Sequence, residues 1–213
     1  MNNKSIDINQ RIPLETLHAA LEAYLNDDYS NEYIMEQLRL EYNGENRLKK
    51  ALRIVNRIIP KNPLIPLINA NRAAFKLAIK KKQDRDIILM ALLNSAFPFS
   101  YDVLKIFGKY FIVQEIINAD TIKKSISNIY GGNRATENGI YSVVPMFLEA
   151  GFFNRPKQGI YQWDKKLIPS SKITEKIYLE SFKLNNSINE IQEYQLMDPY
   201  FLFIKTVLNM SSI

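Results

Sequence analysis

Apolar residues recur three and four positions apart along most of this 213-residue chain, and only seven glycines and nine prolines interrupt them. That spacing lines one face of an α-helix, whereas strict alternation would mark a half-buried strand. The chain is therefore read as all-α, mainly helical. Pro13 opens a first helix with Leu14, Leu17, Leu21 and Leu25 on one face, ended by Asn26-Asp27-Asp28. Ser30 caps a second, with Ile34 and Leu38 inward, that stops at Asn43-Gly44. A third covers 45–59, before Pro60. Pro63 and Pro66 precede a helix that runs to Lys80, Lys81 and Lys82. Asp84 or Asp86 starts the next, which Pro98 breaks. Further helices are predicted over 100–111, 121–130, 134–150, 174–185 and 199–210.

Cysteine is absent, which removes disulfides, thiolate nucleophiles, Cys-ligated zinc and iron–sulfur clusters. The single histidine, His18, removes multi-His metal sites and argues against a Ser-His-Asp triad. No metal or cofactor is expected. The opening MNNKSIDINQ is polar and has no apolar signal region, so no secretory leader is read there. The longest apolar run, Ile87 to Leu93, falls far short of the roughly 20 residues that span a bilayer. These features predict a soluble, cytoplasmic protein with no membrane partner. An apolar share of 46% with 11% aromatics supports a real core rather than disorder.

The net charge of +6 is unevenly spread. Residues 43–82 hold eleven cations and one anion, and residues 121–172 hold eight and three. Acidic or near-neutral segments flank both blocks. Solubility alone does not require such segregation, whereas contact with a polyanion uses it.

The second basic block carries the most informative constellation. In 121–130, Ile122, Ile126 and Ile129 face inward, leaving Lys123, Lys124, Ser127 and Asn128 outward. Gly131-Gly132-Asn133 is a turn short enough to pin two helices at a steep angle. The next helix buries Ile140, Val143, Val144, Phe147 and Leu148, and presents Arg134, Glu137, Asn138, Tyr141 and Ser142 on the other side. Pro145 bends only its last turns. A hairpin follows, with arms 152–155 and 160–163 flanking Pro156-Lys157-Gln158-Gly159. Helix, tight turn, amphipathic helix and hairpin together read as a winged helix-turn-helix. The outward residues Asn133, Arg134, Asn138, Tyr141 and Ser142 suit base edges or phosphates in a major groove. Lys123 and Lys124 would anchor phosphates, and Arg155, Lys157 and Gln158 at the wing tip would reach an adjacent groove or the backbone.

An upstream pair echoes this pattern. A helix over 30–42, the turn Asn43-Gly44 and the helix over 45–59 also resemble helix-turn-helix. The second of these buries Leu48, Leu52, Val55 and Ile59 and exposes Arg47, Lys49, Lys50, Arg53 and Arg57. Lys49, Arg53 and Arg57, four apart, form a stripe suited to phosphates. A solvated helix face is the plainer reading of the same residues.

Other chemistries find little support. His18 lies beside Glu15 and Glu22 in a helix, where a surface role accounts for it. Asp84-x-Asp86 and Asp27-Asp28 could hold Mg²⁺, but both stand at helix ends, where capping explains them, and no Glu-x-Lys accompanies either. No phosphate-binding glycine loop and no nucleophile elbow occurs. The aromatics are expected in the core and wing packing, Tyr141 excepted, and Met35, Met90 and Met146 as core filling. Ile177, Phe182, Tyr200, Phe201, Phe203 and Ile204 form an apolar C-terminal set that either packs back on the body or offers a docking or dimerisation surface.

A leading helix, a basic helix pair, a helical middle (ALLNSAFPFSYDVLKIF, from Ala91 to Phe107) and a segment ending Glu149-Ala150-Gly151-Phe152-Phe153 together resemble the BrxA family. These are small DNA-binding components of BREX bacteriophage-exclusion systems. The resemblance implies a cytoplasmic bacterial protein without enzymatic activity, working beside larger methyltransferase and ATPase partners. It implies no residue list, and neither the 131–134 turn nor Pro145 maps onto the family.

The sequence thus predicts a helical region with a basic helix pair over 1–112, a winged helix-turn-helix with one small β-hairpin over 113–168, and C-terminal helices over 169–213. The function expected is non-enzymatic binding of double-stranded DNA. The alternative is a protein-interaction scaffold whose winged helix docks a polypeptide. Oligomeric state and cognate site are left open.

Overall fold

A helix that is apolar all round has no solvent side and must be enclosed. The run from Ile87 to Leu93 takes that place in helix α6 (Lys82–Ala96) of the computed structural model, which describes residues 5–206. Every residue from Asp86 to Ala96 is buried. Packed around α6 are α1 (Leu14–Leu25), α3 (Glu45–Ile58), α7 (Pro98–Phe111) and α10 (Lys172–Asn186). Helix α2 (Asn31–Arg39) pairs with α3, and the short α4 (Ile65–Ala70) and α5 (Arg72–Ala78) close the flank toward α1 and α10. One continuous apolar cluster reaches from Ile8 to Ile204. Among the described residues no single helix is long and apolar enough to cross a membrane.

Local signals set many of the helix ends. Pro13 stands directly before α1. The Ser30 hydroxyl accepts the Tyr33 amide at 3.1 Å, capping α2 as predicted. Pro98 begins α7 after the extended Phe97. Helix α2, however, ends at Arg39 rather than at Asn43-Gly44, and Gly44, at φ +90°, opens α3 instead. The buried stripe of α3 is Leu48, Ala51, Ile54, Val55 and Ile58, with Leu52 only half-buried.

The helix predicted to run up to Lys82 is two helices broken at Asn71, and Lys82 belongs to α6. Asp84 and Asp86 are not caps. Both are buried, Asp84 accepting the Ser170 amide at 2.9 Å and Asp86 pairing with Lys82 and Arg85. His18 is half-buried rather than a plain surface residue, its Nδ1 3.3 Å from the Arg85 guanidinium. The helix predicted over 199–210 is a 3-10 turn at Pro199–Leu202, with another at Glu193–Met197. Residues 207–210 lie outside the described part. Ile177, Phe182, Tyr200, Phe201, Phe203 and Ile204 are all buried, so the C-terminal apolar set packs back on the body.

From α7 the chain continues as β1 (Ile116–Asn118), α8 (Ala119–Tyr130), α9 (Arg134–Glu149), β2 (Asn154–Lys157) and β3 (Ile160–Gln162). The fold is mostly helical, and its small antiparallel sheet has order β1-β3-β2 with Ile117 opposite Tyr161. The expected hairpin is present with shifted arms. Phe152 and Phe153 precede the strand and enter the core, and β1 adds a third strand that the sequence did not reveal.

One ion pair fixes the α1–α2 turn. Asp27, at φ +64°, meets the Arg72 guanidinium at 2.6 Å, and this contact holds its carboxyl below the usual range. The stability it contributes is full above the ordinary carboxylate pKa and lost as pH falls through the lowered folded value. Asp27→Asn is therefore expected to lower the urea midpoint at pH 6 and to match the parent at pH values below both. An unchanged difference at low pH would rule out this linkage.

Candidate nucleic-acid interface

Two side chains, those of Asn133 and Thr136, build the α8–α9 turn. Asn118 caps α8 by accepting the Asp120 amide at 2.9 Å. Gly131, at φ +89°, ends α8 in a conformation that L residues rarely adopt. Asn133 then accepts the Thr136 amide at 3.1 Å, and the buried Thr136 hydroxyl donates to the Gly131 carbonyl at 2.6 Å. Start and end of the turn are thus tied to one residue of α9.

Helix α9 exposes Arg134, Ala135, Asn138 and Tyr141, the last at 67%. Its helical geometry runs through Pro145 to Glu149. Ser142, expected on the outward face, lies inside. It is 2% exposed, and its hydroxyl donates to the Asn138 carbonyl at 2.6 Å, so it is satisfied inside and reaches no ligand. Gly139, one turn along, lies under Phe99 and Ile6, and a Cβ there would stand 2.7 Å from the Phe99 ring. On α8, Ile122 and Ile126 are buried, whereas Ile129 is 47% exposed rather than inward.

The cations of this unit differ in availability. Lys123 meets Glu137 of α9 at 2.6 Å, and that hydrogen bond raises its pKa. Its charge is therefore largely offset within the protein. Lys124 and Arg134 are exposed and have no ion-pair partner among the described residues. On the hairpin, Arg155, Lys157 and Gln158 are all exposed around the turn at Gly159, φ +78°. The Arg155 guanidinium stands 6.0 Å from the Tyr161 ring centre. Burial raises the Tyr161 phenol, and the Arg155 guanidinium works against that shift. The Lys123–Glu137 pair joins α8 to α9, and the Arg155–Tyr161 contact lies within the hairpin.

The upstream cations separate into two groups. Lys49, Arg53 and Arg57, four apart on α3, all line one open groove of about 800 Å³. Arg47 instead lies over the Tyr42 ring at 4.7 Å, and Lys50, exposed, does not line the groove. The opposite wall of the groove comes from Ile6, Asp7 and Asn9, which precede α1, with Phe97 and Lys61 completing it. Asp7 pairs with Arg57 at 3.1 Å, whose guanidinium lies 4.5 Å over the Phe97 ring. This N-terminal segment also runs along α9, since Ile6 touches the Gly139 position and Arg11 pairs with Glu149 at 2.6 Å. Sequence reasoning missed Asp7, Asn9, Lys61 and Phe97. The alternation of Ile6 and Ile8 with polar Asp7 and Asn9 was the available signal of an extended strap.

Among the described residues no cluster of His, Asp and Glu could hold a metal ion. Comparison with family models, curated proteins and solved structures gives no match to this chain.

Proposed function

We infer that the protein binds double-stranded DNA, without catalysing a reaction, through α8, the exposed face of α9 and the β2–β3 tip. The observation that carries this reading is the exposure of Lys124, Arg134, Asn138, Tyr141, Arg155 and Lys157 on three consecutive elements, α8, α9 and the hairpin. The element order from α7 to β3, with β3 between the other strands, supports reading this unit as a winged helix-turn-helix. In that arrangement α9 enters the major groove by its first two turns and the hairpin meets the backbone beside it. Arg134 and Asn138 suit base edges, and Lys124, Arg155 and Lys157 suit phosphates. The resemblance to a BrxA-like component of a bacterial phage-exclusion assembly, with larger partners, belongs to the same proposal.

Fluorescence anisotropy with a labelled duplex tests it. With phosphate contacts from Lys124, Arg155 and Lys157, affinity should fall by about 40-fold between 50 and 200 mM salt. The Arg155→Ala/Lys157→Ala double variant should weaken binding to every sequence and flatten the salt slope by nearly 2. Glu137→Gln should act in the opposite sense, because it releases Lys123 and removes an anion from the α9 face. Its affinity should rise several-fold, with a slope steeper by about 0.9. Salt-insensitive binding, or a double variant that binds normally, overturns the interface. A protein-docking role would leave duplex affinity at the non-specific level in all these variants.

A further inference from the structure

The α3 groove shares no lining residue with α8, α9 or the hairpin and has a different chemistry. Lys49, Arg53 and Arg57 stand on successive turns of one wall, and Lys61 follows the helix end, yet the groove has a single carboxylate, Asp7. That carboxylate is engaged by Arg57. Lys49, Arg53 and Lys61 have no ion-pair partner among the described residues. Like charges held along a concave wall repel one another, and a bound anion relieves that repulsion.

Phosphate alone does not account for the rest of the lining. Ile6, Leu52 and Phe97 give the groove apolar walls, and its volume of about 800 Å³ is that of a small-molecule site. Arg57 supplies a flat surface. Phe97 backs its guanidinium, Asp7 fixes it from the side, and guanidinium planes stack on unpaired bases. The bases of an intact duplex are stacked on each other and cannot use such a surface.

We propose that this groove binds a phosphorylated nucleotide, with its base on the Arg57 guanidinium and its phosphate on Lys49 and Arg53. The ligand is either a free nucleotide or an unpaired stretch of nucleic acid, which present the same chemistry. The proposal goes beyond the duplex reading and does not depend on it.

Calorimetric titration of the full chain at 50 mM salt with ATP, with a dT12 oligonucleotide and with inorganic phosphate separates the outcomes. ATP binding identifies a free nucleotide, and dT12 binding without ATP binding identifies an unpaired strand. Binding of dT12 through about three phosphates should show a log–log salt slope near −2. Lys49→Gln and Arg53→Gln, both at exposed positions, should each weaken binding about tenfold or more while duplex affinity stays at the parent value. Arg57→Lys keeps the charge but loses the plane, and should also weaken it. The Arg155→Ala/Lys157→Ala variant should bind the nucleotide like the parent. The proposal is overturned if neither probe binds, if phosphate binds as tightly as ATP, or if the groove variants bind normally. It is equally overturned if the hairpin variant loses the nucleotide, because the ligand then sits elsewhere.

Discussion

Gly108→Ala is expected to destabilise the protein by about 3 kcal/mol or more, although alanine is the better helix former by about 1 kcal/mol. A Cβ at this position of α7 would stand 2.8 Å from the Pro199 carbonyl carbon and closer still to its oxygen. The obstacle is backbone, so no rotamer change relieves it. Pro199 is also held in place from several sides. Asp198 accepts from Lys105 at 2.6 Å and from the Tyr200 amide at 3.0 Å, and the Tyr178 hydroxyl donates to the Tyr200 carbonyl at 2.8 Å. The Tyr178 and Tyr200 rings stack 4.4 Å apart. To make room, the C-terminal turn must leave α7 and give up these contacts. For a chain of this size the melting temperature should fall by about 6–12 °C. The near-ultraviolet circular dichroism of the stacked tyrosines should weaken in parallel. An unchanged melting temperature would mean that the turn does not rest on α7.

Gly108 also marks the limit of what a single sequence discloses. Nothing within four residues of it requires glycine, because the demand comes from Pro199, ninety-one positions later. Features set by near neighbours were legible: Pro13, Ser30 and Pro98 announce helix starts through local sterics and capping. The stripe of Lys49, Arg53 and Arg57 was legible for the same reason, since i, i+4 spacing fixes their common face. The facing wall was not, because residues 6–9 reach it only through the fold. Strand β1 escaped notice because three residues show no periodicity, and its pairing depends on β3, more than forty positions on. Asp84 resembled a cap by position, yet its partner is Ser170. Ser142 sat at the margin of the polar face on a helical wheel, and packing from other elements placed it inside.

The same distinction bears on the hairpin, whose cations matter only if its base is fixed. Phe153, immediately before β2, is 2% exposed and stacks on Phe107 of α7 with centres 4.2 Å apart. Tyr161 of β3 meets both rings edge-on, at 5.0 Å from Phe107 and 5.6 Å from Phe153. Phe147 of α9 and Phe203 complete the surround at 6.3 and 6.1 Å. One ring therefore couples the hairpin to α7, α9 and the C-terminal segment. Phe153→Ala should cost about 3–5 kcal/mol, through lost burial and the cavity left behind. Phe153→Leu refills most of that volume and should cost less. Because the cavity opens against Tyr161, amide exchange at Tyr161 and Gln162 should accelerate before global unfolding does. Under the proposed duplex-binding role, affinity should fall as well, although no cation is removed, because Arg155 and Lys157 must then be ordered on binding. If Phe153→Ala lowers stability while leaving those amides protected, the β1–β3 ladder alone holds the hairpin, and its preorganisation owes nothing to the aromatic cluster.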